Sequence, residues 1–433
     1  MGDGARRARD VLLGPLDLRG KFVLPTWRGW ILAALAFILY FFANQTQVGW
    51  LYVLAALAAG LWLAAWPIPR RMLRGLSLTR RLNGQNASDL ELHAGDSVAI
   101  ELELKNPARF PALQIRGLEI CPLAPAADRT QNFFVPSLSA RSALTLNYET
   151  TCVRRGWFEF PPVQLSTRAP FGFFSARREV STPTGTLVFP EYREIEQLTL
   201  FDRMPAVESA RPRLGSGGEF VGVREYRPGD SRRHIHWRST ARAGRLVVKE
   251  FAEETQPGLT IALDLRSISV IGVDENTSLE LAIKIAATLA SYAQRRGLPV
   301  TLATNSRTWP APPGPLSWWG MMNYLARVQG EGEESFAECL RGLRATQFVA
   351  ALLPFPDEAA IAPLIELQRQ GIGVLAVIID PAPFLPLEWG GTRRAQTMAA
   401  TLAASGLSVR VIGDEPDWER TLEAEEAGVT KLI

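Results

Sequence analysis

The stretch Gly218-Glu219-Phe220-Val221-Gly222-Val223-Arg224-Glu225-Tyr226-Arg227-Pro228-Gly229-Asp230 separates two halves of this chain that differ in periodicity. Pro228-Gly229-Asp230 reads as a turn, because proline presets φ and glycine accepts a positive value. Asp230 or Ser231 then offers a side-chain oxygen to cap a short helical segment. Arg245-Leu246-Val247-Val248-Lys249-Glu250-Phe251 returns to strand character. Arg224, Arg227, Arg232, Arg233, Arg238, Arg242, Arg245 and Lys249 crowd this region, with Glu225, Asp230 and Glu250 among them. Guanidinium groups at such density repel one another unless carboxylates, carbonyls or an external anion face them. Two readings stay open: an internal Arg–carboxylate network clamping two domains, or a docking surface for an acidic partner or a phosphate. His234 and His236 flank Ile235 beside Trp237, but no cysteine or third histidine lies near enough in sequence to complete a metal site.

Downstream of this stretch, apolar runs alternate with helical ones. Leu259 to Asp264, Pro299 to Ala303, Gln347 to Leu353, Gly373 to Ile379 and Leu407 to Ile412 read as buried strands. Ser278 to Arg295, about Glu358 to Arg369 and about Thr392 to Ala404 read as helices, and Trp309 to Trp319 as a loop. This alternation predicts an α/β domain over 258–433, with a parallel sheet covered on both faces. Residues 191–257 form a connecting region.

Upstream, from 76 to 190, short strands alternate in period two. Asp89 to His93 and Val98 to Lys105 flank an Ala94-Gly95-Asp96 turn, and Ala143 to Glu149 repeats the pattern. Such spacing predicts an antiparallel β-sandwich. Arg154 to Phe158 and Ala169 to Phe174 read as aromatic corners.

Before the strands lie a basic segment (1–26) and two apolar runs, Trp27 to Ala43 and Trp50 to Trp66, within 27–66. Each is slightly under the roughly 20 residues a spanning helix needs, and Trp27, Trp30, Trp50, Trp62 and Trp66 gather towards their ends. Arg6, Arg7, Arg9 and Arg28 precede the pair; Arg70, Arg71, Arg74, Arg80 and Arg81 follow it. The positive-inside rule then predicts a two-pass hairpin in the lipid bilayer of the inner membrane, with both termini and the soluble domains cytoplasmic.

Composition narrows the function classes. A chain of 433 residues needs more than one core. Its net charge of +3 argues against a dedicated nucleic-acid binder, and its three cysteines do not form a disulfide framework. There is no phosphate loop, no Gly-x-Ser-x-Gly elbow and no close Cys/His pair.

Several motifs resemble a bacterial family, domain-of-unknown-function family fifty-eight. They are Arg154-Arg155-Gly156 with Phe158, Pro170-Phe171-Gly172, Val188-Phe189-Pro190, and above all Arg224-Glu225-Tyr226-Arg227-Pro228-Gly229-Asp230 with Ile235, Trp237, Ala241-Arg242 and Leu246. The resemblance implies a membrane hairpin, a β-domain and a von Willebrand A-like domain, and a MoxR-type AAA+ ATPase as partner. Domains of that last type hold a divalent cation through Asp-x-Ser-x-Ser after the first strand, with a later Thr and Asp. Here Asp264 matches the first position, whereas Arg266 and Ile268 stand at the two serine positions. Ser267 and Ser269 are one residue out of register, and Asp357 comes slightly beyond the place of the distal Asp. Arg266 would set a fixed cation where the metal sits, so the expectation is a lost metal site and no cofactor. The resulting expectation is a non-catalytic, membrane-anchored cytoplasmic adaptor, coupling an unidentified client to the ATPase. Its docking edge, at the C-terminal ends of the parallel strands, would be cationic through Arg266 and Arg307, with Asp264 and Asp357 limiting that character. Two rivals remain: a metal-dependent or Asp/His hydrolase pairing Asp264 with His234 or His236, and anion or nucleic-acid binding through the Arg cluster.

Overall fold

The computed structural model describes residues 23–85, 90–198, 214–226, 235–252, 258–343, 347–385 and 392–424. The chain divides into two compact units, one ending at Phe189 and one beginning at Pro190.

In the first unit, a short strand β1 (Leu24–Pro25) leads into helices α1 (Trp27–Thr46) and α2 (Gly49–Ala65), followed by α3 (Ile68–Arg74). The Thr26 hydroxyl caps α1 by accepting the Gly29 N–H at 3.3 Å, and Gln47 ends it in the left-handed region. Both helical segments, Trp27–Thr46 and Gly49–Arg74, are long and apolar enough to cross a membrane. Most of their large apolar side chains are exposed, not packed into a core.

Ten strands follow: β2 (Ser77–Leu82), β3 (Leu92–His93), β4 (Ser97–Asn106), β5 (Ala112–Ile120), β6 (Thr130–Leu138), β7 (Ser142–Thr151), β8 (Gly156–Glu159), β9 (Val163–Thr167), β10 (Phe174–Val180) and β11 (Gly185–Phe189). They form three sheets, ordered β1-β10-β9-β5-β6, β2-β4-β7 and β3-β11-β8. Alternation decides which faces meet: β2 and β4 bury every second residue, so Leu78, Leu102 and Leu104 face Ile115, Val135 and Leu165 of the five-stranded sheet. A simple two-sheet antiparallel sandwich therefore needs correction. The third sheet exists because β11 pairs with β8 and, in parallel, with β3, which starts only at Leu92. The Arg154–Phe158 corner is largely strand β8. Arg80 is not a juxtamembrane charge. It sits on an inward position of β2, fully buried, with its Nε 2.7 Å from Glu119 Oε1 and its guanidinium over the Phe160 ring.

The second unit contains a β-hairpin, β12 (Leu214–Glu225) with β13 (Val247–Ala252), enclosing helix α4 (Trp237–Ala243). Then come β14 (Leu259–Leu263), the small hairpin β15 (Gly272–Val273) and β16 (Asn276–Thr277), α5 (Ser278–Arg295), β17 (Val300–Thr304), β18 (Pro315–Leu316), α6 (Trp318–Arg327) and α7 (Phe336–Arg341). β19 (Phe348–Leu353), α8 (Ile361–Arg369), β20 (Gly373–Ile379), α9 (Thr392–Ala404), β21 (Ser408–Ile412) and α10 (Trp418–Glu423) complete it. The six-stranded sheet runs β18-β17-β14-β19-β20-β21, parallel except for β18 at its edge. β14, β19 and β20 are buried at every residue, as strands covered on both faces must be. α5 begins with a capping arrangement in which Thr277 Oγ1 accepts the Glu280 N–H at 3.2 Å. Trp309 to Trp319 is not wholly a loop. Pro315-Leu316 pairs with Val300-Thr301 at the sheet edge, where proline is tolerated, and Ser317 caps α6. The segment 190–198 also packs within this unit: Glu191 pairs with Lys284 at 2.7 Å, and Arg193 with Glu419.

Candidate functional site

After β14 the chain moves to β17 on one side of it, then crosses to β19 on the other. The loops leaving the carboxyl ends of β14 and β19 therefore diverge and open a crevice, the place where open α/β sheets gather ligands. Asp264 is the first residue beyond β14, and Asp357 lies in the loop beyond β19.

Asp264 is completely buried, so its two oxygens must be satisfied within the protein. Oδ1 accepts the Arg266 backbone N–H at 3.1 Å, Arg266 Nε at 3.0 Å and Asn305 Nδ2 at 2.8 Å. Oδ2 accepts Arg266 Nη2 at 2.8 Å and the Ser269 hydroxyl at 2.7 Å. Arg266 Nη2 also donates to Asp357 Oδ2 at 2.7 Å. One guanidinium, its side chain 22% exposed, thus bridges two carboxylates across the crevice. The Asp264 carboxylate, and then Asp357, hold the Arg266 pKa above its already high usual value, so its charge is fixed.

The surroundings are built to keep this geometry. Asn305, just past β17, accepts the Leu265 N–H at 2.8 Å and donates to the Glu334 carbonyl at 3.0 Å. Gly332 donates its N–H to the Leu265 carbonyl at 2.7 Å. A Cβ at Gly332 would stand 2.7 Å from the Leu265 carbonyl carbon and 2.8 Å from the Arg266 nitrogen, so the close approach requires glycine. Ser269 enters through the short 3₁₀ turn Ser267–Ser269. That turn leaves Ile268 74% exposed on the rim.

Chemically, the crevice holds a satisfied carboxylate in place of a reactive one. Burial, with Asp264 and Glu334 adding to it, pushes the Cys339 thiol up to about 12. Among the described residues, no group of three His, Cys, Asp or Glu is placed to hold a metal ion. At this edge the arginines face carboxylates. Arg266 is consumed by Asp264 and Asp357, and Arg307 Nε lies 2.6 Å from Glu334 Oε1.

The Arg-rich stretch occupies a different place, on the β12–β13 hairpin. Arg227, Gly229, Asp230 and His234 lie outside the described residues, and with them the Asp230 or Ser231 cap. The cap that is described belongs to His236, whose Nδ1 accepts the Ser239 N–H at 3.2 Å and lies 2.8 Å from Ser239 Oγ. His236 is therefore engaged in starting α4. Tyr226 donates its N–H to the Leu246 carbonyl, closing the hairpin. Arg224 Nη1 donates to the Glu225 carbonyl at 3.0 Å, and Arg245 pairs with Glu225 at 3.4 Å. Both members of that ion pair are more than 60% exposed, so it contributes under about 1 kcal/mol and is no buried clamp. Trp237 and Arg242 are exposed as well.

Sequence reasoning missed Ser269, Asn305 and Gly332. Asn305 lies two residues past the strand read from the sequence at 299–303, and nothing local marks it as a partner of Asp264. Ser269 was set aside for being out of register, yet the 3₁₀ turn returns its hydroxyl to Asp264.

The fold and site thus define a doubly wound α/β unit whose switch-point carboxylate is neutralised from within, carried on a chain with two apolar helices and largely antiparallel sheets. Residues 222–341 match the family described as "Protein of unknown function DUF58". The match runs from within β12 to the end of α7, and so includes Asp264, Arg266 and Asn305 but not Asp357. The uncharacterized protein YeaD of Bacillus subtilis (strain 168) is 23% identical over 282 residues, 62% of this chain. The aligned region spans 65% of that relative's length, just under two thirds. A GH20 exo-β-N-acetylglucosaminidase of Vibrio harveyi aligns over 70% of this chain and 81% of its own, at 8% identity and a TM-score of 0.19. At that score the likeness carries no argument.

Proposed function

We propose that this chain is a membrane-anchored, non-catalytic adaptor whose α/β unit, of von Willebrand A-like type, presents its switch-point crevice to a partner protein. The observation that carries the reading is the Arg266 bridge between Asp264 and Asp357. It fills with an internal cation the position where such domains place a divalent metal. A crevice finished in this way favours recognition by shape and apolar contact over chemistry on a substrate. The strand order, with its antiparallel edge β18, supports the domain type. The MoxR-type AAA+ ATPase enters as partner through the family resemblance, and the apolar helices α1 and α2 supply the anchor, with the soluble units on the cytoplasmic side.

The test is a pull-down of the purified ATPase by the detergent-extracted full chain. Ile268→Asp places a charge on the exposed rim without touching the Arg266 bridge, and is expected to weaken capture at least tenfold. Undiminished capture by that variant removes the crevice from the interface. A second reading, binding of an anion by the hairpin, is favoured by the exposure of Trp237, Arg238 and Arg242 together on α4. Loss of capture in Trp237→Ala with Arg242→Ala, and not in Ile268→Asp, would select it.

A further inference from the structure

We infer that the end of the five-stranded sheet nearest the helical pair is a docking face for anionic phospholipid headgroups, an inference that rests on the membrane reading of α1 and α2. The start of α1 is bonded to this sheet. Thr26 donates its hydroxyl to the Gly172 carbonyl at 2.6 Å and its N–H to the Phe173 carbonyl at 2.8 Å, and β1 pairs with the first residues of β10. Trp62 of α2 donates to the Gly29 carbonyl at 3.0 Å, and its ring lies 5.1 Å from Phe174. α1 therefore meets the sheet at loop 168–173 and α2 meets it at Phe174, the next residue, and this end of the sheet sits at the level where a bilayer surface would cross the helices.

The register brings two more loops to that end. Thr167 of β9 faces Ala176 of β10, and Ser166 faces Arg116 of β5, so the residues preceding Ala112 lie beside loop 168–173. Ala112 in turn faces Leu138, which puts 139–141 there too. These loops are fastened together. Buried Asn106 donates to the Phe110 and Ser139 carbonyls at 2.9 and 3.0 Å, and Arg141 donates its N–H to the Ala108 carbonyl at 3.2 Å.

The side chains presented are of one kind. Phe110 is 78% exposed and Phe171 49% exposed, and Arg28, Arg109, Arg141 and Arg168 are exposed around them. Segments 23–31, 107–111, 139–142 and 168–173 contain no aspartate or glutamate. Aromatic rings on a hydrogen-bonded platform, among arginines with no carboxylate in the same segments, match the headgroup layer, where rings settle among the headgroups and each arginine strengthens attraction to anionic lipid about fivefold. An acidic protein would match the charge. It would not account for the platform's continuity with the membrane helices.

The experiment is hydrogen exchange on the full chain in nanodiscs of phosphatidylcholine alone and in discs rich in phosphatidylglycerol. Peptides covering 107–111 and 168–173 are expected to exchange at least fivefold more slowly in the phosphatidylglycerol discs. Raised salt should remove the difference, as should Arg109→Glu, Arg141→Glu and Arg168→Glu combined, with β4 exchange unchanged. Equal loop exchange in the two discs, with α1 and α2 protected in both, overturns the docking face and leaves the membrane reading intact. Unprotected α1 and α2 amides overturn both.

Discussion

Replacing Arg266 by alanine tests the claim that a guanidinium stands in for a metal. The variant leaves Asp264 completely buried beside Asp357 with no positive charge between them. Breaking a buried ion pair from one side costs about 3–5 kcal/mol. The lower end applies here, because Arg266 keeps 22% exposure and Asp264 retains its bonds from Ser269, Asn305 and the backbone. A loss of about 3 kcal/mol in a unit of this size lowers the melting temperature by about 6–12 °C. Thermal melts of the detergent-purified full chain, followed by tryptophan emission, measure it. Mg²⁺ supplies the missing charge, and at a hundredfold excess over its Kd it would restore about 2.7 kcal/mol to the variant. The native chain should not respond, and Arg266→Lys should recover only part of the loss, since an ammonium cannot fork between two carboxylates. Melting of the alanine variant within a degree or two of the native chain would refute the reasoning. So would equal stabilisation of native and variant chains by Mg²⁺.

The buried pair Arg80–Glu119 yields a second expectation: Arg80→Met should cost about 3–5 kcal/mol, while Arg80→Met with Glu119→Leu should regain most of it, read by urea denaturation. Burial raises the Glu119 pKa above the ordinary 4.5 against the opposing pull of Arg80. Its contribution is therefore fullest below that value and is lost as pH rises through the folded-state pKa. Without Arg80 the loss should steepen, so a flat profile from acid to neutral pH in Arg80→Met would contradict the pairing. For the proposed anchoring by α1 and α2, reporter fusions at residues 1 and 433 should both score as cytoplasmic, and export of either would remove the adaptor reading.

Much of the α/β unit was legible in the sequence. The runs at Leu259–Leu263, Phe348–Leu353 and Gly373–Ile379 are apolar at nearly every position because a strand covered on both faces has no solvent side, and α5 carries its own cap in Thr277 and Glu280. The apolar helices and the alternation of β4 and β7 were equally local signals. Tertiary structure decided the rest. A period-two pattern says which side of a strand is buried. It does not say which sheet the strand joins, so the third sheet could not be read from alternation, and although the period puts Arg80 on the face of Leu78 and Leu82, its partner Glu119 could not be read from it either. Likewise, Asp264 announced itself by following a strand, whereas Asn305 and Asp357 acquired their roles only when strand order brought β17 and β19 to either side of β14. The sequence set Arg266 beside Asp264, at the position where the metal would sit. Only folding brought two carboxylates within hydrogen-bonding reach of it, because pairing across distant loops depends on sheet topology, which no local run of residues encodes.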